Sequence, residues 1–176
     1  MKNTICLLLL SLVLPVSASE LEFVTPESVG VSSERLGMIN EFVPLPFVHM
    51  EAPIYLKGRA RRGPTFREAV LMHAVARLAL HPVIANIQVS WVKLGADGAA
   101  ACLNAGANDL GGTLMNESIS RAAGTIHGEE FSPRSMENLI SGLGRTPRQR
   151  TTLYGDAPSE RRTASMDAAP LTVAKT

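Results

Sequence analysis

The rhythm of apolar positions changes several times along the chain, and each change predicts an element. After Lys2, residues Ile5 to Val13 are almost continuously apolar, and Pro15 and the small residues Val16-Ser17-Ala18 follow. That order predicts an export signal over residues 1–18, cut after Ala18, and the run is too short to span a bilayer. Residues 19–43 read as a polar lead in which Ser32 or Ser33 caps a helix starting at Glu34, with Leu36, Ile39 and Val43 on one face. Val43 to Val48, an apolar run broken by prolines, predicts a first strand. Thr65 and Glu68 then form a capping box that opens a helix Phe66 to Leu80, stopped by Pro82. Asn86 to Leu94 alternates like a second strand, Asp97 caps a helix to Asn104, and Gly106 sits where a helix end wants a left-handed residue. Asp109 to Leu114 is a third strand, Ser118 to Ala123 a short helix, Ser132-Pro133 the start of a helix Arg134 to Leu143, and Arg150 to Tyr154 a last strand. Residues 157–176 carry little apolar content and read as a disordered tail.

Strands alternating with helices at this spacing predict parallel βαβ units, an α/β fold. About four strands are counted, too few to close a parallel (β/α) barrel. Composition changes the picture little. The 176 residues are 45% hydrophobic and 19% charged with a net charge of +1, so no nucleic-acid or anionic-membrane partner is indicated. No second long apolar run predicts a membrane span. Cys6 lies in the predicted signal, which leaves Cys102, in an alanine-rich run, as a small packed side chain rather than half of a disulfide.

Parallel barrels carry their chemistry at the C-terminal ends of the strands. Polar residues there are His49 and Glu51 after the first strand, Gln88, Ser90 and Lys93 in and after the second, and Asn116 and Glu117 after the third. Together they are the candidate substrate or cofactor pocket. Each also has a plainer reading: Lys93 and Glu117 as solvated loop charges, Gln88 as a polar layer of the barrel. No residue is marked out as catalytic. His49, His73, His81 and His127 lack zinc-site spacing, and His73 reads as a packed helix residue. Arg59, Arg61 and Arg62 read as a solvated charged loop, and Gly111-Gly112 lacks the dinucleotide-binding fingerprint. Ser90-Trp91-Val92-Lys93 has the spacing of a β-lactamase-type nucleophile motif, but a strand there would put Ser90 and Lys93 on opposite faces.

The stretches Pro44-Leu45-Pro46-Phe47-Val48-His49-Met50-Glu51-Ala52-Pro53, Asn86-Ile87-Gln88-Val89-Ser90-Trp91-Val92-Lys93, Gly106-Ala107-Asn108-Asp109-Leu110-Gly111-Gly112-Thr113-Leu114-Met115-Asn116-Glu117 and Thr146-Pro147-Arg148-Gln149-Arg150-Thr151-Thr152-Leu153-Tyr154-Gly155-Asp156 resemble the FO synthase family. The match is to the C-terminal portion of its second radical S-adenosylmethionine half, over residues 41–156. The resemblance implies a radical S-adenosylmethionine barrel of which only C-terminal βα units are present. It also implies coupling of a tyrosine-derived radical to 5-amino-6-ribitylaminouracil in deazaflavin (coenzyme F420) biosynthesis, with S-adenosylmethionine and a [4Fe–4S] cluster as cofactors. The family's cluster is held by a Cys-x3-Cys-x2-Cys motif, and this chain holds only Cys6 and Cys102. The chain is therefore expected to be inactive alone and to need the missing half of the barrel as a partner. Residues 20–43, with Pro26-Glu27-Ser28-Val29-Gly30 and Ser33-Glu34-Arg35-Leu36, resemble instead the lead of secreted β-lactamase-related serine hydrolases. A chimeric join is expected near Asn40 to Pro44, with a hydrolase fragment as the alternative function. The two resemblances disagree on location, since the leader implies export and the barrel family the cytoplasm.

Overall fold

The computed structural model describes residues 26–30, 32–114, 117–128 and 130–169. The expected signal peptide lies outside the described residues. The chain divides into two compact units, residues 1–38 and 39–176. In the first, a 3-10 turn Pro26–Val29 precedes a five-residue helix α1, Ser33–Gly37. Ser32 Oγ accepts the Arg35 N–H at 3.2 Å, so Ser32 is the cap. The helix stops at Gly37, and Ile39 and Val43, expected on its face, are not helical. Glycine, poor in helices, is the local cause.

The second unit runs β1 (Glu41–Phe42), α2 (Pro53–Leu56), α3 (Phe66–Leu80), β2 (Asn86–Ile87), α4 (Trp91–Asn104), α5 (Ser118–Ala122), α6 (Pro133–Gly142) and α7 (Ser159–Asp167). β1 and β2 pair in parallel, Glu41 against Asn86 and Phe42 against Ile87. Gln88 continues the ladder through a parallel bridge to Asp109. Among the described residues this short parallel ladder replaces the four barrel strands expected from sequence.

The physical reasons are local. The run Val43–Val48 contains Pro44 and Pro46, which cannot donate to a ladder, and pairing moves one step upstream to Glu41–Phe42. The run Asn86–Leu94 is strand only to Ile87, with α4 beginning at Trp91. Trp91, Val92, Gly95, Ala99 and Cys102 are buried, a helical period that overrides the short alternation. Helical geometry breaks within α4 at Gly95, where φ is 71°. Asp109–Leu114 keeps only its bridge, because Gly111 (φ 73°) and Leu114 (φ 41°) leave the extended region. Arg150–Tyr154 forms an antiparallel bridge, Arg150 to Asp156, around a turn in which the Thr151 N–H reaches the Gly155 carbonyl at 2.9 Å.

The strong caps hold. Thr65 and Glu68 bond reciprocally at the start of α3, and Ser132 accepts the Ser135 N–H ahead of Pro133 at the start of α6. Gly106 takes φ 125° after α4. Residues 159–167, expected to be unstructured, are helical instead: Glu, Arg and Ala favour α7, and Gln149 Nε2 donates to Ser165 Oγ at 3.1 Å. The core lies between the ladder and α3, α4 and α6, centred on Ile87, Val89, Trp91, Cys102 and Met136.

Candidate functional site

Alternation along the ladder sorts its residues onto two faces. Ile87 and Val89 point into the core and are fully buried. Glu41, Asn86, Gln88 and Asp109 instead line a cavity of about 720 Å³ on the other face. Residues 133–140 and 147–154 bound that cavity, with Ser165 and Met166 of α7 at its rim.

Arg150 closes the polar face. Its Nε donates to Asp109 Oδ2, its Nη2 reaches Gln88 Oε1 at 3.4 Å and Glu41 Oε2 at 3.6 Å, and its Nη1 donates to the Thr151 carbonyl at 3.1 Å. One guanidinium thus touches a residue from each line of the ladder, with the fork geometry that carboxylates match. Burial works against its charge, but the Asp109 carboxylate outweighs that and its pKa lies above the ordinary arginine value. Tyr154 covers the guanidinium, with Arg150 Cζ 4.1 Å from the ring centroid, and donates its hydroxyl to Glu41. Burial, followed by that bond to Glu41, pushes the phenol well above the ordinary tyrosine range. The Tyr154 backbone is left-handed at φ 62°, a conformation that costs a non-glycine residue energy and recurs at functional sites. The arrangement is a polar wall with fixed charges, fully paired, facing an open cavity.

Of the residues expected from sequence, Gln88 belongs to this wall. His49, Glu51, Ser90, Lys93 and Glu117 do not line this cavity. Lys93 Nζ donates to Ser120 Oγ at 3.0 Å, and Glu117 Oε1 accepts the Ser120 N–H at 2.8 Å, capping α5. The Glu51 N–H bonds the Ala123 carbonyl at 3.0 Å, which ties the loop after β1 to the end of α5, while the Glu51 carboxylate is exposed. His49 accepts the Gly63 N–H at 3.3 Å and packs edge-on against Tyr55 at 4.7 Å, as a loop-stabilising residue. Ser90 precedes the first turn of α4, so the opposite-face placement expected for Ser90 and Lys93 is overturned; the Lys93 ammonium is nonetheless directed to the buried Ser120. Asn116 lies outside the described residues. Sequence reasoning missed Glu41, Asp109, Arg150 and Tyr154. The signal was the polar member of each alternating pair, Asn86 before Ile87 and Gln88 before Val89, which marks a second, wet face of the strand.

The residues present do not fit an iron–sulfur cluster. Three thiolates are required and the chain has two cysteines, of which Cys102 is fully buried and has its thiol pushed up to about 11 by that burial. Among the described residues no three His, Cys, Asp or Glu side chains gather as a metal site. No helix among them is long and apolar enough to cross a membrane.

The family model described as CofH/MqnC C-terminal region matches residues 36–162. The chain is 54% identical over 133 residues to the FO synthase of Streptomyces coelicolor, which covers 76% of this chain and 15% of that protein. It is 57% identical over 121 residues to the 5-amino-6-(D-ribitylamino)uracil--L-tyrosine 4-hydroxyphenyl transferase of Methanopyrus kandleri, covering 69% of this chain and 33% of that protein. The FO synthase of Mycobacterium leprae is 54% identical over 121 residues, or 69% of this chain and 14% of its own length. This chain therefore spans between about a seventh and a third of the relatives it matches. The matched residues begin at Leu36, inside the stretch read as a hydrolase lead, and contain the whole ladder, the polar wall and the first turn of α7. With the Glu41, Gln88, Asp109 and Arg150 wall entirely inside the match, the chain belongs to the CofH/MqnC C-terminal region family.

Proposed function

We propose that residues 41–156 are C-terminal βα units of an FO synthase-type radical S-adenosylmethionine barrel and supply part of its substrate wall, without the cluster that starts the radical. The observation that carries this reading is the polar wall of Glu41, Gln88, Asp109 and Arg150 on the cavity-facing side of a parallel ladder, in a stretch 54% identical to an FO synthase. The substrates are those in the relative's name, tyrosine and an aminouracil bearing a ribityl chain. A uracil ring offers carbonyl acceptors and N–H donors, and the ribityl chain offers hydroxyls. Gln88, Asn86 and Thr151 present amide and hydroxyl groups to the same cavity. Arg150, held charged by Asp109, fixes the local field so that the wall need not reorganise when ligand arrives. His49, Glu51, Ser90, Lys93, Asn116 and Glu117, which follow the segments expected as strands in sequence, are in this reading the candidates for further substrate or cofactor contacts outside this cavity. S-adenosylmethionine and the cluster belong to the part of the relatives that this chain does not span.

The test joins residues 36–176 to the two-thirds of the Methanopyrus transferase that the chain does not match. The fusion, loaded with iron and sulfide without oxygen, receives tyrosine, the aminouracil, S-adenosylmethionine and reductant. Deazaflavin fluorescence is expected from the fusion, and the present chain under the same treatment should take up no stoichiometric cluster. A soluble, cluster-loaded fusion that makes no product overturns the proposal.

A further inference from the structure

Helix α3 is apolar in the wrong places for a helix that faces water. Its buried residues are the small or polar Ala69, His73 and Ala76, while Leu71, Met72, Val75 and Leu78 are 48%, 50%, 57% and 84% exposed. At about 100° per residue, Phe66, Val70 and Arg77 fall on one flank of α3. That flank meets α4 and the turn at Gly106: an ideal Cβ at Gly98 would lie 3.4 Å from Phe66, and Arg77 Nε donates to the Gly106 carbonyl at 2.7 Å. Leu71, Met72 and Val75 fall on the opposite flank, away from α4. A helix apolar on both flanks is covered on both.

α3 packs against β2, the strand with which β1 pairs. β1 pairs with β2 and, among the described residues, with no other strand on its second edge. In a parallel sheet with helices packed on it, the next strand on that edge and the next helix on that flank come from one preceding βα unit. The family match starts at Leu36, five residues before β1, and relatives carry most of their length outside the matched stretch.

We propose that the β1 edge and the Leu71–Met72–Val75–Leu78 flank of α3 form a docking surface for a separate polypeptide carrying the upstream βα units of an FO synthase-type chain. The occupant adds a parallel strand to β1 and lays a helix along α3. The inference rests on the functional reading above for the identity of the occupant, and on geometry alone for the surface. Without the occupant the chain exposes both an edge and an apolar stripe, and it self-associates.

The probe is the Methanopyrus transferase with its matched stretch removed, purified separately and mixed with the full chain. A one-to-one complex is expected by size-exclusion chromatography with light scattering, with protection of α3 amides on mixing. Met72→Glu and Val75→Glu lie on exposed positions, so the free variants should keep their circular dichroism and become less prone to associate. Each should weaken the complex at least tenfold, while Leu153→Glu, exposed elsewhere, should not. A complex indifferent to both α3 variants overturns the proposal. So does a monodisperse free monomer in which residues 1–38 already protect α3, or a stable homodimer through the same flank. A complex that forms but makes no deazaflavin leaves the surface standing and removes the function; a product-forming fusion whose separated pieces never associate does the reverse.

Discussion

On one face of the ladder Ile87 and Val89 are fully buried among Trp91, Ala99, Cys102 and Leu103; on the other, Glu41, Gln88 and Asp109 sit beneath Arg150 and Tyr154. The apolar face is assembled mostly from neighbours in sequence, residues 87–110, with α3 and α6 closing over them. The polar face is assembled across the chain, with Tyr154 bonding a carboxylate 113 residues away and Arg150 one 41 residues away. Burial holds the first face without regard to direction, and the second depends on one cation satisfying several acceptors. The faces should therefore fail differently.

Arg150→Met is the most severe break. It leaves Asp109, whose side chain is only 7% exposed, without its counter-charge, and an orphaned buried charge costs on the order of 3–5 kcal/mol. The urea midpoint, followed by fluorescence of Trp91, the sole tryptophan, should fall accordingly. Adding Asp109→Leu to Arg150→Met should recover most of the loss, because it is the uncompensated charge that is costly. If the double variant is no better than the single, the wall is not an ion-pair device. Ile87→Ala tests the other face. Removing buried methyl groups and leaving a cavity costs roughly 2–4 kcal/mol, and no compensating polar change should rescue it.

The same contrast explains what was legible in the sequence. Helices α3, α5 and α6 could be read to within a residue or two because their signals are local: Thr65 with Glu68, the limits of Ser118–Ala122, and Ser132 before Pro133. Strands were overread. Two or three alternating residues look alike in a strand and in the approach to a helix, and only burial of both Trp91 and Val92 distinguishes them. α7 is not legible from hydropathy, because a segment this polar looks unstructured although its residues favour a helix. Gln88 was found as a polar residue on a strand. Its partners were not, since no local rhythm announces that Arg150 and Tyr154 fold back over Glu41.

Tyr154→Phe is a smaller perturbation of the polar face. It removes the hydroxyl bonded to Glu41 but keeps the ring over Arg150, for about 1 kcal/mol. Its pH signature is more specific than its size. The folded-state pKa is raised above the ordinary 10.0, so the folded chain resists losing that proton and the unfolded chain does not. The contribution is complete below pH 10 and is lost as pH rises beyond it. The phenylalanine variant should lose less stability than the parent above that pH. Equal alkaline slopes would show that the Tyr154 phenol is not held by the fold.

Cys102 gives the smallest effect and the cleanest reading of the apolar face. Its thiol is fully buried, and burial pushes its pKa from 9.0 to about 11. Below pH 9 both folded and unfolded chains keep the proton, so the thiol contributes no pH dependence. Between pH 9 and 11 the unfolded chain ionises first, and stability declines as pH rises through that window. Cys102→Ala should remove this part of the decline, beginning about one unit lower than the change seen on Tyr154→Phe, in exchange for a small uniform loss from the vacated sulfur volume. At pH 8 a thiol reagent should modify Cys102 no faster than the chain opens, with the rate rising in urea in step with the Trp91 signal. The assay needs Cys6→Ser so that one thiol is counted. Immediate labelling in the absence of denaturant would mean that the helix layer over the ladder opens freely, and the contrast between a packed face and a charge-clamped face would collapse.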